Sequence, residues 1–391
     1  MQFKPSNNAM SLPTAIPKSP LELDVINLVG YGQTVQPRSI GYDDGYVYGN
    51  ASTNDKIFKT NGGFSTPPSD LEYGQQFDGL AGFTGSIWGV FKTYAGYVVI
   101  ERITATTSAI WFSDAFGSGF TKVLNLDRGI ANMMNMSFYN NGEHDTVCLV
   151  SEYVQGAIAA GSECRLFASF DGGATWAAIK TLPAAINGAY NSHWHTQVYD
   201  PYDARIYASA GDADNAMLYY SDDLGQNWST VPLASYTLPS HHPQPTMMIP
   251  AHNKIILGAD NGLAPSVMSL VKDNSYKLKN TETFKFQHEY SVYPGDVTMA
   301  AGKYARPPYA IDENEIYFLV PGFPGHRQAY VVGSGDAGQT WHKVGTLNLS
   351  RTVNTTNTPN GIVGPDINGY MYVFFAANHI ARFKKAEWLF N

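Results

Sequence analysis

Short runs of aromatic and β-branched residues, each closed by an acidic or glycine turn and followed by a second such run, recur along the whole chain. Ser39-Ile-Gly-Tyr-Asp-Asp-Gly-Tyr-Val-Tyr48, Gln197-Val-Tyr-Asp-Pro-Tyr-Asp-Ala-Arg-Ile-Tyr207 and Ala310-Ile-Asp-Glu-Asn-Glu-Ile-Tyr-Phe-Leu-Val320 are clear cases. Runs of this kind read as strands, and the turn residues between them make each pair a hairpin. The stretches from Met247 to Gly258 and from Ile362 to Phe375 repeat the theme. No long amphipathic helical stretch interrupts the series, so the pattern predicts an all-β protein.

Three of the turns share one motif, Ser-x-Asp-x-Gly-x-(Thr/Asn)-Trp: Ser169 to Trp176, Ser221 to Trp228 and Ser334 to Trp341. The carboxylates of Asp171, Asp223 and Asp336 can accept hydrogen bonds from backbone N–H groups of a tight turn. Gly173, Gly225 and Gly338 supply a position of positive φ, and each tryptophan is expected to bury itself under the next strand. Asp171 and Asp223 lie 52 residues apart, and Asp223 and Asp336 lie 113 apart, which is two periods with one unit lacking the motif. Ser113 to Phe120 is a degenerate copy, and Lys59 to Thr66 a weaker one.

Counting outward gives seven units, near residues 33–72, 79–124, 134–181, 191–233, 240–284, 286–346 and 357–388. Repeats of about 40 to 60 residues with four strands each are the signature of a β-propeller. Seven four-stranded blades in one domain, residues 33–391, are expected, and the irregular first and fifth units leave six or eight open. The motif resembles the Asp-box, or BNR repeat, of sialidase-like β-propellers. That resemblance implies an architecture in which Asp171, Asp223 and Asp336 sit on outer hairpins, away from the ligand site, as scaffold. Ahead of the blades, Pro5, Pro13, Pro17 and Pro20 make residues 1–32 an extended arm, not a strand pair, which packs on the propeller's own side or on a neighbouring subunit.

Composition narrows the partners. The 37 glycines, 25 tyrosines and 20 phenylalanines, with 15% charged residues, suit a glycine-turned, aromatic-packed β protein. A formal charge of -8 and no Lys/Arg cluster argue against nucleic acid. The longest apolar runs, such as Tyr370 to Ala377, are strand-length and far too short to span a bilayer as a helix. The first ten residues hold no apolar core of a secretory signal, so an extracellular or virion-associated protein of this kind leaves its cell another way or has lost its leader. Cys148 and Cys164 are expected as two buried free thiols, although a disulfide is geometrically open.

In a propeller the innermost strand of each blade lines a central channel, and ligands bind at its mouth. Asn191-Ser-His-Trp-His-Thr-Gln197 opens the fourth unit, and alternation puts His193, His195 and Gln197 on one face. Ser240-His-His-Pro-Gln-Pro-Thr246 opens the fifth and brings His241 or His242 to the neighbouring blade. Such a cluster can do acid–base work near neutral pH, or hold a divalent metal through His193, His195 and His242. Histidines facing a wet channel can equally serve hydrogen bonding alone. No cofactor beyond that metal is implied.

His193-Trp-His195, Tyr199-Asp-Pro-Tyr202, Arg205-Ile-Tyr207 and Gly211-Asp212 resemble a pattern of BNR-type propellers in bacteria and their phages, and, more weakly, propeller polysaccharide lyases. The lyase resemblance implies His193 or His195 as base or metal ligand, His241 or His242 as partner, Tyr290 or Tyr293 as acid and Arg306 as the carboxylate anchor. Sialidase chemistry is disfavoured: that family has three clamping arginines and an Arg-Ile-Pro signature, whereas this chain has nine arginines in all and Pro37-Arg-Ser-Ile40 is not the signature. Asp78, Asp212, Asp214 and Glu289 are further carboxylates of unassigned role. Two functions follow as expectations. The first is a carbohydrate-directed recognition or structural module of an extracellular or phage tail assembly, with the arm contacting other subunits. The second is a polysaccharide-degrading enzyme, a lyase acting by β-elimination.

Overall fold

The computed structural model describes residues 14–18, 24–27, 35–40, 45–51, 56–60, 73–78, 82–104, 106–116, 119–130, 136–140, 146–153, 163–183, 193–212, 215–233, 244–251, 253–259, 266–271, 285–291, 306–310, 314–320, 328–348, 359–375 and 379–390. After β1 (Ala15–Pro17) and β2 (Asp24–Asn27), the first four-stranded sheet holds β3 (Val35–Ile40), β4 (Val47–Ala51), β5 (Lys56–Thr60) and β6 (Tyr73–Asp78). The second holds β7 (Ser86–Lys92), β8 (Tyr97–Arg102), β9 (Ser108–Ser113) and β10 (Thr121–Leu126), and the third β11 (Met136–Asn140), β12 (Thr146–Ser151), β13 (Cys164–Ser169) and β14 (Ala177–Leu182). The fourth is β15 (Trp194–Asp200), β16 (Arg205–Ala210), β17 (Met217–Ser221) and β18 (Ser229–Pro232), and the fifth β19 (Pro245–Ala251), β20 (Lys254–Ala259), β21 (Ser266–Val271) and β22 (Lys285–Ser291). The sixth is β23 (Arg306–Ala310), β24 (Ile316–Val320), β25 (Gln328–Ser334) and β26 (His342–Asn348). The seventh runs β27 (Pro359–Val363), β28 (Tyr370–Phe375), β29 (His379–Lys384) and then β2, while β30 (Trp388–Phe390) pairs with β1.

Each sheet is an antiparallel meander, and the first strands converge. β3 touches β7, β11 touches β15, β15 touches β19, β19 touches β23, β23 touches β27, and β27 returns to β3. An apolar cluster of Phe91, Val98 and Ile110 with Met136, Val150 and Phe167 joins the second sheet to the third. The sheets therefore form a closed ring with the first strand of each innermost. Packing follows the period of two: on β20, Ile255 and Leu257 join the cluster shared with the fourth sheet, while Ile256 joins the one shared with the sixth. A sheet buried on both faces needs such continuous apolar strands, and each of these side chains contributes about 1.5–3 kcal/mol.

Two expectations are corrected. Asp24–Asn27, assigned above to the arm, is the outermost strand of the seventh sheet, with Asp24 opposite Arg382 and Asn27 opposite His379. The prolines end at Pro20, and Asp-Val-Ile-Asn beyond them is free to pair. The arm is also a strand at Ala15–Pro17, antiparallel to β30. The second correction concerns residues 285–291, which form the outer edge of the fifth sheet, so the sixth begins at Arg306. The weaker motif copy at 59–66 lies largely outside the described residues.

The three shared turns each join the third and fourth strands of a sheet, and their hydrogen bonds match. Asp171 accepts from Ser169 Oγ (2.8 Å), Thr175 N (2.9 Å) and Thr175 Oγ1 (2.5 Å). Asp223 accepts from Ser221 Oγ, Asn227 N and Asn227 Nδ2, and Asp336 from Ser334 Oγ, Thr340 N and Thr340 Oγ1. The glycines have φ of 99°, 93° and 78°. A Cβ there would strike Val98, Ile179 or Ile256, each on the preceding sheet. The tryptophans lean the same way, which corrects the expected burial under the next strand: Trp228 donates to Ile179 O (2.9 Å), and all three donate to their own turn glycine carbonyl. Among the described residues, the N-terminal strand covers the third turn. Ala15 N donates to Asp336 Oδ2 (3.0 Å), and Thr340 Oγ1 lies 3.1 Å from Ala15 O.

Both cysteines are free and buried, as expected. Cys148 lies opposite Ser169 at one end of β13, and Cys164 starts the other end.

Candidate functional site

His193 directly precedes β15, the inner strand of the fourth sheet, and His195 is its second residue. Trp194 faces Ala210 and Thr196 faces Ser209, so His195 is an extra residue in the ladder, a β-bulge. Trp194 pins the bulge from the apolar side: it is fully buried, donates to Cys164 O (3.2 Å) and meets Tyr219 edge-on. A bulge re-aims side chains, and this one brings His193 Nε2 and His195 Nε2 to 2.7 Å.

The third member comes from the other end of the hairpin. β16 ends at Ala210, Gly211 turns at φ 77° while donating to His193 O (3.0 Å), and Asp212 then faces both rings. Asp212 Oδ1 lies 3.2 Å from His195 Nε2, and Oδ2 lies 3.6 Å from His193 Nε2. Gln244, just ahead of β19 in the fifth sheet, donates to Asp212 Oδ1 at 2.7 Å. Tyr153, which follows β12 of the third sheet, meets the His193 ring edge-on with centroids 4.7 Å apart. Three adjacent sheets thus build one centre. The His193 and His195 side chains are 9% and 2% exposed and that of Asp212 is 36% exposed, so the centre opens on the carboxylate side.

Burial, reinforced by His195, holds His193 down to about 4 against the opposing pull of Asp212, so its ring is neutral at physiological pH. Burial pushes the Asp212 carboxyl up, but the His195 hydrogen bond, the two rings and Gln244 outweigh it and hold the group below its ordinary value. The neutral His193 ring beside the Asp212 carboxylate can accept a proton, and the two imidazoles with that carboxylate can ligate a cation. Among the described residues, His193, His195 and Asp212 are the one set of three metal-ligating side chains with donor atoms within 4.8 Å of one another.

The other expected residues are not all brought here. His241, His242, Tyr293 and Asp214 lie outside the described residues. Tyr290 and Glu289 are on β22 and Asp78 on β6, each the outermost strand of its sheet. Arg306 opens β23, an inner strand two sheets along the ring from His195. Gln197 turns to the third sheet and accepts from Ser151 Oγ at 2.8 Å. Asp212, unassigned in the sequence, is central, and Gln244 and Tyr153 were missed. The Gly211-Asp212 pair, placed where a hairpin returns beside His193, was the available signal.

No family model and no curated protein matches the sequence. Solved structures do resemble it. Virginiamycin B lyase from Staphylococcus aureus, a catalytically inactive histidine-to-alanine variant with quinupristin, aligns over 93% of this chain and 99% of its own with a TM-score of 0.55 and 9% identity. A luciferin-regenerating enzyme covers 93% and 95% with a TM-score of 0.45 and 10% identity. The first is a β-propeller, and its likeness establishes that fold for this chain.

Proposed function

We propose that this chain is a seven-bladed propeller of the Asp-box type that cleaves an acidic polysaccharide by β-elimination. The blade count is supported by the seven four-stranded sheets found among the described residues, and the Asp-box assignment by the matching hydrogen bonds of three turns. One observation carries the chemistry: two imidazoles and a carboxylate converge at the inner end of the fourth sheet, with the carboxylate on the open side. In the reaction a neutral imidazole takes the proton alpha to a uronate carboxylate. The C–H electron pair forms the ring double bond, the glycosidic C–O bond breaks, and the departing oxygen takes up a proton.

The test is the absorbance of unsaturated uronate on a panel of acidic polysaccharides, with His195→Ala as control. Product that disappears in the variant supports the reading; no product on any member of the panel sinks it within that panel. A second reading, a glycan-recognition or structural module of an extracellular or phage tail assembly, is favoured by the β1–β30 ribbon, whose Ile16, Leu389 and Phe390 are 42%, 51% and 58% exposed. Glycan retention without product would select it.

A further inference from the structure

We propose that His193, His195 and Asp212 hold a resident divalent first-row transition ion, zinc in type, through both Nε2 atoms and the carboxylate. The first ground is geometric. An ion with bonds of about 2.0–2.1 Å keeps its ligand atoms about 2.9 Å apart at right angles and about 3.3 Å apart in a tetrahedron. Here the two Nε2 atoms stand 2.7 Å apart, and the carboxylate sets one oxygen, Oδ1, 3.2 Å from His195 Nε2 and the other, Oδ2, 3.6 Å from His193 Nε2, spacings that bracket both values.

The second ground is hydrogen-bond accounting. A single hydrogen fits between two Nε2 atoms at 2.7 Å, so one ring at most donates there and the other presents a lone pair. Among the described residues, His195 Nδ1 is buried without a partner, and the polar contacts of the ring fall at Nε2. The ring is therefore positioned for what Nε2 reaches. An ion replaces the shared hydrogen and engages both lone pairs and Asp212 together.

Ligand type selects the metal. Two imidazoles with one carboxylate suit zinc, manganese, iron or cobalt, whereas calcium and magnesium take oxygen cages and copper(I) takes sulfur. Gln244 donating to Asp212 orients the carboxylate from outside, and Trp194 pins the bulge that places His195. Three protein ligands leave a coordination position on the Asp212 side. There a uronate carboxylate would bind, a use that rests on the elimination reading, whereas the metal site does not.

The experiment uses the full chain, stripped with a chelator and dialysed. Titration with Zn²⁺ is followed by calorimetry, and titration with Co²⁺ by its visible ligand-field bands. One equivalent is expected, with the intense bands of low-coordinate cobalt. Asp212→Asn and His195→Ala should each weaken binding 100-fold or more, and Gln244→Leu by about 10- to 100-fold. Far-UV circular dichroism and melting confirm folding, and Asp212→Asn, at a partly exposed position, keeps the test valid if His195→Ala misfolds. Absence of stoichiometric binding of either ion, or binding unchanged in Asp212→Asn, overturns the site. Binding without elimination product leaves the site standing and removes only its catalytic use.

Discussion

Asp336→Ala should cost far more than Asp223→Ala, although the two aspartates stand in the same motif. Both accept from a serine hydroxyl and from the backbone and side chain four residues on. Asp336 accepts in addition from Ala15 N at 3.0 Å, and is 1% exposed beneath the β1 strand. Truncation leaves two or three N–H groups without an acceptor in a place water does not reach, at about 1–3 kcal/mol each, or about 4 kcal/mol in sum. With about 2.1 cal/mol/K of unfolding entropy per residue, a chain of 391 residues changes by roughly 0.8 kcal/mol per degree, so Tm should fall by about 5 °C. Asp223 is solvated, water replaces its lost acceptor, and its shift should stay near the error of the measurement.

Scanning calorimetry of the two variants measures the difference. Trypsin supplies an independent readout, since cleavage after Lys18 should accelerate in Asp336→Ala and stay at the wild-type rate in Asp223→Ala. Equal melting shifts with unchanged cleavage would refute the idea that the third turn serves as the receptor for the N-terminal strand.

In the chelator-treated protein, His193 lies at about 4 when folded and near 6.5 when unfolded. The unfolded state therefore binds the extra proton between those values, and stability should drop by about 3 kcal/mol as pH falls from 6.5 to 4. The depressed carboxyls Asp171, Asp212 and Asp336 add a second loss below about pH 4; a His193→Gln profile as steep as wild type above pH 4 would contradict this assignment. Burial, with the nearby Glu152 carboxylate, pushes the Cys164 thiol up to about 12, and burial with Asp171 pushes Cys148 higher still. An aromatic disulfide reagent should accordingly titrate no thiol in the native protein and two after denaturation. Leu224, exposed at φ 57°, occupies the position that Gly172 fills at φ 76°, so Leu224→Gly should remove about 1 kcal/mol of left-handed strain and raise Tm by about a degree; a lowered Tm would count against the strain.

Local patterns were legible in the sequence because they report local physics. Runs such as Ile255 to Leu257 are apolar at every other position for one sheet and at the alternate position for its other neighbour, and acidic or glycine turns separate the runs. Gly173, Gly225 and Gly338 were readable as positive-φ residues for the same reason. Pairings between distant segments were not. Nothing near Asp24 announces Arg382 as its partner, and nothing in Lys285–Ser291 says whether it ends one sheet or starts the next. The site divides along the same line. Alternation put His193 and His195 on one face, but the extra residue that closes their nitrogens to 2.7 Å shows only in the ladder, and Asp212 and Gln244 join through a hairpin return and a contact between sheets.

The third turn differs from its relatives at one small position, and that difference decides where the ring is sealed. Its second residue is Gly335, where the other copies carry Phe170 and Asp222. A Cβ at 335 would run into the Trp388 indole. Without one, Trp388 lies flat on the turn and donates to Glu315 Oε1 at 3.2 Å, and Tyr317 OH donates to the same oxygen at 2.5 Å. The strand that follows pairs with Ala15–Pro17, and Lys18 reaches Glu387 at 2.8 Å. Both chain ends are thereby fixed to the sixth sheet, while β2 completes the seventh. The His–His–Asp centre draws on the third, fourth and fifth sheets, which the chain completes in succession without help from either terminus. Fraying at the seam therefore exposes the sixth and seventh sheets first, and the geometry that holds Asp212 against the two rings does not depend on the latch.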